Sequence, residues 1–384
     1  MTSANDAWTT PERQALREVV TDFTTREIVP NLAAWEDAGE LPRSLHEKAA
    51  ELGLFELGFP EKAGGAGEFI DFLVANEAIL LAGGSTGVCS ALFTHSIGAP
   101  HIAAAGDPWQ IDTFVRPALA GQKIAALGVT EPGTGSDVGA ITTRARRDGD
   151  DYVVSGAKTF ITSGTRADFV TTAVRTGGPG HRGVSLLIIE SDRPGFAVTS
   201  KLKKMGWLCS DTAELSFDEV RVPLRNLIGD EGTGFVQIMQ RFESERLLMA
   251  AQAAATAERS LHLARQWARD RVTFGEPLAH RQVIRHKLAD MAREVAVART
   301  FVRDVAVRWS EEGHTPEEVA MAKNAAVAAC DSVVNAAVQI HGGMGYMRDS
   351  EVERHYRDSR ILGIGGGTTE MMNEIIAKQI IDKV

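Results

Sequence analysis

Apolar positions in the first third of the chain recur at helical intervals. Thr10-Pro11-Glu12 places a capping hydroxyl and then a proline at a helix start, and Val20, Phe23 and Ile28 continue the spacing. Further helices are expected near 43–53, 68–82 and 108–120, with Gly64-Gly65-Ala66-Gly67 as an intervening loop. From about Lys123 the period changes. Short β-rich runs at 152–154, Phe169–Arg175, Val184–Glu190, 196–199 and 213–217 are separated by Gly, Pro and Asp, which predicts a small β domain. No crossover helices space these runs and no Gly-x-Gly-x-x-Gly strand-to-helix fingerprint occurs, so a parallel dinucleotide-binding sheet is disfavoured. After Gly229-Asp230-Glu231-Gly232 the helical period returns. Ile284, Leu288, Met291, Val295, Ala298, Val302 and Val305 step by four and three and predict a bundle seam. Thr315-Pro316-Glu317-Glu318 reads as a capping box with proline at the first helical position. Gly342-Gly343 ends the helix it opens, whose Ala and Val fit close interhelical packing. The expected organisation is helical over 1–122, β over 123–232 and helical over 233–384, an α+β multidomain architecture.

A chain of 384 residues exceeds what one core usually supports, so two or three domains are expected. Apolar residues make up 44% and no apolar run approaches the roughly 20 residues that span a bilayer, which argues against a membrane protein. The polar start, residues 1–10, lacks the marks of a secretory signal, and a cytoplasmic location is expected. Cys89, Cys209 and Cys330 lie far apart and read as buried thiols. A net charge of −10 argues against nucleic-acid binding, and an anionic ligand requires a local cluster of positive charge. His95, His101 and His341 do not share ligand spacing on one helix face, so they read as packed side chains and no metal is expected.

The densest chemical signal is Leu127-Gly128-Val129-Thr130-Glu131-Pro132-Gly133-Thr134-Gly135-Ser136-Asp137, where small residues and hydroxyls surround a proline turn. Such a loop brings backbone N–H groups close to a ligand; alone, it is equally a plain Gly/Pro turn. Gly156-Ala157-Lys158-Thr159-Phe160-Ile161-Thr162-Ser163-Gly164, Arg271-Val272-Thr273-Phe274-Gly275, Gln339-Ile340-His341-Gly342-Gly343 and Gly365-Gly366-Gly367-Thr368 follow in order. In this register, and with these helical flanks, the set resembles the acyl-CoA dehydrogenase family over essentially the whole chain.

The resemblance implies an N-terminal helical domain, a middle β-barrel domain and a C-terminal four-helix bundle, with FAD held without a covalent link in a homotetramer, a dimer of dimers. It implies that Leu127, Val129 and Thr130 lie along the flavin and that Phe160, Ile161 and Thr162 cover its other side. Arg271, Phe274, Gln282, Gln339, Gly342 and Gly343 are implied to meet the adenine-diphosphate part of a neighbouring subunit's FAD, and Thr368 and Glu370 are further implied cofactor contacts. Two phosphates need charge, which a guanidinium fork supplies, and close backbone approach, which paired glycines permit. The competing reading of Arg271 is a surface salt bridge, and that of Gly342-Gly343 a helix cap. Ser136, Phe242, Glu243, Arg246, Gly366 and Gly367 are the implied substrate contacts.

Many members of the family carry a catalytic glutamate in a Tyr-Glu-Gly-Thr segment, whereas this chain reads Gly365-Gly366-Gly367-Thr368. Gly366 has no group that takes a proton. Its replacement is sought in Phe242-Glu243-Ser244-Glu245-Arg246, because the isovaleryl and long-chain branches place their base at the position of Glu245 and have glycine or alanine at that of Gly366. Glu243 and Glu245 differ by about 200° around a helix, so only one faces the flavin. Glu243 is expected toward the pantetheine or the surface, Arg246 beside the base, and Glu245 with a pKa raised by burial. The competing reading of Glu245 is a solvated residue paired with Arg246 or Arg241.

The expected reaction is α,β-dehydrogenation of an acyl-CoA thioester, with an electron-transfer flavoprotein as electron acceptor. In relatives the thioester oxygen is held by a backbone N–H at the Gly366 position and a ribityl hydroxyl of FAD, an oxyanion-hole arrangement. Segments such as Lys203-Lys204-Met205-Gly206-Trp207 look most like the long-chain branch, while Gly366 and Gly367 leave space for a branched chain. Alternatives on the same scaffold are a dehydrogenase of an acyl or aminoacyl group on a carrier protein, a flavin oxidase or monooxygenase, and a catalytically silent flavoprotein.

Overall fold

The structure, a computed structural model, describes residues 7–382; residues 1–6 of the polar start lie outside them. The Thr10 hydroxyl accepts from the Arg13 amide at 3.3 Å and caps α1 (Pro11–Phe23), so the Thr-Pro start behaves as its chemistry predicts. Helices α2 (Leu32–Ala38), α3 (Arg43–Glu51) and α4 (Phe69–Leu81) follow. Like α2, two further helices were not foreseen, α5 (Thr86–Leu92) and α6 (His95–Ala105). Both are apolar on nearly every face, so no amphipathic period marks them, and α6 also contains Pro100. A helical stretch over 108–119 closes this part, passing through a π-type turn at Ile111–Val115.

Seven strands then form one curled sheet: β1 (Ala125–Gly128), β2 (Arg144–Asp148), β3 (Asp151–Thr162), β4 (Phe169–Arg175), β5 (Val184–Glu190), β6 (Phe196–Lys201) and β7 (Thr212–Pro223). The pairing is mostly antiparallel. β5 runs along the whole of β4, while β1 pairs in parallel with the first four residues of β4 and β2 meets β4 at Arg175. Period two explains why β4 and β5 are buried on both faces along all but their last residue. Phe169, Ala173, Leu186 and Ile188 face the helical core, and Val170, Val174, Leu187 and Ile189 face a second core within the β domain.

The chain returns to helix in α7 (Gly234–Asp270), followed by a hairpin of β8 (Val272–Thr273) and β9 (Glu276–Pro277). Then come α8 (Gln282–Glu312), α9 (Pro316–His341), α10 (Glu351–Ser359) and α11 (Thr369–Asp382). α7 packs on α8 and α9, α9 on α11, and α4 lies against α7. The seam from Ile284 to Val305 belongs to the core, as its spacing predicts. The capping box at Thr315 does not form. The Thr315 hydroxyl has no partner, and its amide instead donates to the Glu243 carboxylate at 3.2 Å. Among the described residues no helix is long and apolar enough to cross a membrane.

Candidate active site

Two turns of α7 carry Phe242, Glu243, Glu245, Arg246 and Met249. The helix turns about 100° per residue, so Glu243 and Glu245 diverge. Glu243 is 3% exposed, which corrects the expectation that it points to the surface. Its carboxylate accepts from Trp309 Nε1 and the Thr315 amide, both at 3.2 Å, and lies 2.6 Å from His314 Nδ1. A buried carboxylate requires donors, and these tie α7 to the α8–α9 connection rather than leaving Glu243 free for a pantetheine chain.

Glu245 faces the turn 365–367. A Cβ built on Gly366 would lie 3.6 Å from Glu245 Oε1 and only 2.7 Å from Met249 Sδ, and Gly366 has a φ of +61°. A side chain at 366 therefore meets a strained backbone conformation and requires the flexible Met249 side chain to move. The carbonyls of this turn face cations. Lys323 Nζ donates to Gly365 O and Gly367 O, each at 2.5 Å, and Arg246 Nε donates to Gly366 O at 3.0 Å. Across a trans peptide the C=O and the next N–H point in opposite directions, so the Gly366 N–H points away from Lys323. It has no acceptor among the described residues, which leaves one free donor beside one carboxylate.

The electrostatics of this group are dominated by desolvation. Burial pushes the Glu245 carboxyl above its ordinary range, while Lys323 and Arg246 draw it back. Burial lowers Lys323 to about 8 against the pull of the Glu245 carboxylate. Arg246, lowered by burial, sits with its guanidinium carbon 5.6 Å from the centre of the Phe242 ring. Lys323 was not among the residues expected at this site. Its signal was a lysine on the apolar face of α9, in helical step with Val319, Val327 and Cys330, where an unpaired charge is costly.

The loop after β1 is built over a buried ion pair that also went unread. Lys158 Nζ reaches Glu131 Oε1 and Val129 O, both at 2.9 Å, and Glu131 also accepts from the Thr142 and Thr143 amides. Burial alone would raise Glu131, but Lys158 and these bonds hold it down at about 2. The pair fixes Val129 and Thr130 against β3, where the Thr159 amide donates to Thr130 O at 2.9 Å. The β3–β7 register slips between Lys158 and Ile161, and there Phe160 adopts a φ of +60° and is 68% exposed. Leu127 and Thr162 are half-buried, Val129 and Ile161 buried, and Ser136 is exposed on the following loop. An aromatic ring held out in a strained conformation beside half-buried apolar residues suits one face of a flat heteroaromatic ring such as a flavin.

Most of the remaining expected cofactor residues lie on the surface, and Thr368 is half-buried. Arg271, Phe274, Gln282, Gln339, Gly342 and Gly343 are all exposed, Phe274 to 99%. The Arg271 side chain has no ion-pair or hydrogen-bond partner among the described residues, so the salt-bridge reading of it does not hold. Gly342 ends α9, and a Cβ on either Gly342 or Gly343 would meet nothing within 4 Å. An unpaired guanidinium and open glycine backbone fit a diphosphate. The Thr368 hydroxyl accepts from the Met371 amide at 3.2 Å at the start of α11, and Glu370 is exposed beside it.

The three cysteines are buried, and burial raises each thiol. His95 packs between Phe55 and Phe59, and desolvation lowers it to about 3. Desolvation likewise lowers buried His101, to about 4. The His341 ring stacks on Trp267. Among the described residues no three His, Cys, Asp or Glu side chains converge on a point suited to a metal ion.

This arrangement matches three family models: acyl-CoA dehydrogenase N-terminal domain over residues 10–122, middle domain over 126–220 and C-terminal domain over 232–381. The chain is 38% identical over 377 residues to a probable acyl-CoA dehydrogenase of Bacillus subtilis, covering 97% of this chain and 98% of that one. It is 37% identical over 375 residues to the mitochondrial long-chain specific acyl-CoA dehydrogenase of Mus musculus, covering 96% and 86%. Among solved structures, a probable acyl-CoA dehydrogenase from Mycobacterium abscessus superposes with a TM-score of 0.96 at 65% identity, covering 97% of this chain and 100% of that one. The chain belongs to the acyl-CoA dehydrogenase family.

Proposed function

We propose that this chain oxidises an acyl-CoA thioester to its trans-2-enoyl thioester with FAD, and that Glu245 takes the proton from the α carbon. The observation that carries the assignment is the Glu245 carboxylate facing the turn whose Gly366 N–H is unpaired. The α C–H of a thioester is a weak acid in water. A hydrogen bond to the thioester oxygen stabilises the enolate that forms as the proton leaves, and the Gly366 N–H is placed to donate it. Bound FAD supplies the acceptor for the β hydride. Glu245 must be ionised to act, so kcat/KM rises with pH as its elevated pKa is passed. Arg246 and Lys323 keep that rise from moving far upward. In this reading the exposed Phe160 and the Leu127–Thr130 segment are the residues that cover the flavin, and the exposed Ser136 is the one that meets the acyl-CoA.

The exposed set around Arg271 and Gly342 supports a shared cofactor, the adenine-diphosphate half of one FAD resting on a second copy in a tetramer. An electron-transfer flavoprotein is the proposed acceptor, and the cytoplasm the proposed location. The test is anaerobic titration of the yellow protein with straight and branched acyl-CoAs, following flavin absorbance. Glu245→Gln is expected to bind FAD and thioester yet bleach at least about 10²-fold more slowly, the span of a lost general base. Bleaching by this variant at the rate of the parent protein would remove the assignment.

A further inference from the structure

We propose that Lys323 is a positioning residue for the reaction: from behind the 365–367 turn it aims the Gly366 N–H at the thioester oxygen. The inference rests on the function proposed above and adds a third element to it, α9, which supplies neither the base nor the donor.

The geometry is that of one cation and one peptide unit. Lys323 Nζ bonds Gly365 O and Gly367 O at 2.5 Å each, so it bridges the two carbonyls that flank Gly366. The Gly365 carbonyl and the Gly366 N–H belong to the same rigid plane, and fixing one fixes the other. A glycine-rich turn is otherwise loose, since Gly365, Gly366 and Gly367 contribute no side chains and Gly366 and Gly367 both have positive φ. An ammonium on the carbonyl side also polarises the amide toward better donation, as in a chain of hydrogen bonds. Arg246 fixes the next plane through Gly366 O, so two cations from two helices define the turn.

Structure alone does not require a lysine here. Lys323 is 1% exposed on the apolar face of α9, where a methionine would fill similar space without the desolvation cost of an ammonium. Lys323 Nζ and Glu245 Oε1 both lie 3.6 Å from the position of a Cβ on Gly366, so the same ammonium that sets the donor also stabilises the ionised base. Its lowered pKa, about 8, has a consequence for rate. Above that pH the neutral amine offers one weaker donor set and no charge, and turnover falls.

The experiment compares the parent holoenzyme with Lys323→Met, Lys323→Arg and Glu245→Gln. Each is assayed for kcat and flavin bleaching with acyl-CoA substrates of four, eight and sixteen carbons, and mixed separately with the 3-thia-acyl-CoA probes of the same lengths. Sulfur in place of the β carbon removes the hydride, so the only step left is loss of the α proton, read as a long-wavelength charge-transfer band. Lys323→Met is expected to keep its flavin and its affinity for the thioester within about threefold. It should lose kcat by about 10²-fold, the effect of one misplaced oxyanion donor, and need a higher pH to develop the band. The parent enzyme should show an alkaline limb in kcat near pH 8. Lys323→Arg should move that limb up by two pH units or more, because a guanidinium stays charged. A wild-type kcat and band in Lys323→Met overturns the inference, as does an alkaline limb unmoved in Lys323→Arg, which reads out even where the methionine variant fails to fold. Glu245→Gln separates the layers: if it still bleaches with substrate the function beneath is wrong, and if it is silent while Lys323→Met is normal only the role of Lys323 falls.

Discussion

At the scale of single residues, the site is a trade between positions 245 and 366. Gly366 leaves room for Glu245 and Met249, and its own φ of +61° disfavours any side chain. Gly366→Glu is therefore expected to destabilise the fold by about 1–3 kcal/mol through overpacking against Met249, read as a lower Tm. Met249→Ala in the same background should restore part of that loss by opening the space. A recovery of equal size from an alanine placed elsewhere on α7 would show that the obstruction lies somewhere other than Met249. That Glu245 lies beside Gly366 was legible from one sequence, because the glycine at 366 and the second carboxylate appear together and the resemblance links them. Lys323 was not, because the carbonyls it holds lie on a turn more than forty residues further along the chain, and no local period announces such a pairing.

At the scale of elements, what was legible was what local chemistry encodes. The Thr10-Pro11 start and the α8 seam follow from capping and from a single apolar stripe. β1 escaped notice because Ala-Ala-Leu-Gly has no β-branched residue and owes its place to its neighbours. Thr94 Oγ1 donates to Ala125 O at 3.1 Å, Thr171 Oγ1 donates to Gly98 O at 2.8 Å, and a Cβ on Gly98 would lie 2.7 Å from Ala126 O. α6 thus lies directly on the strand that leads into the Leu127–Thr130 segment. Gly98→Val is expected to push the two apart, lowering Tm and reducing the ratio of flavin to protein absorbance in the purified enzyme. A full flavin complement with an unchanged Tm would show that β1 is held by β4 alone.

At the scale of the whole molecule, the exposed Phe274, on the same hairpin segment as Arg271, is the feature that makes one chain look unfinished. Phe274→Asp should weaken self-association and, with it, retention of FAD, so that flavin is released on dilution at concentrations where the parent keeps it. Sedimentation and flavin fluorescence on the same samples test this, and flavin loss without dissociation would point to a contact within the chain. The interior has the opposite character. One hydrophobic core gathers Leu73 and Leu92 from the first helices, Phe169 and Ile188 from the sheet, and Leu247, Val302 and Val334 from the last helices. The three stretches that match separate family models therefore share this core: a chain cut between them would carry raw apolar surface on both fragments, and heat should melt the intact protein as a single body.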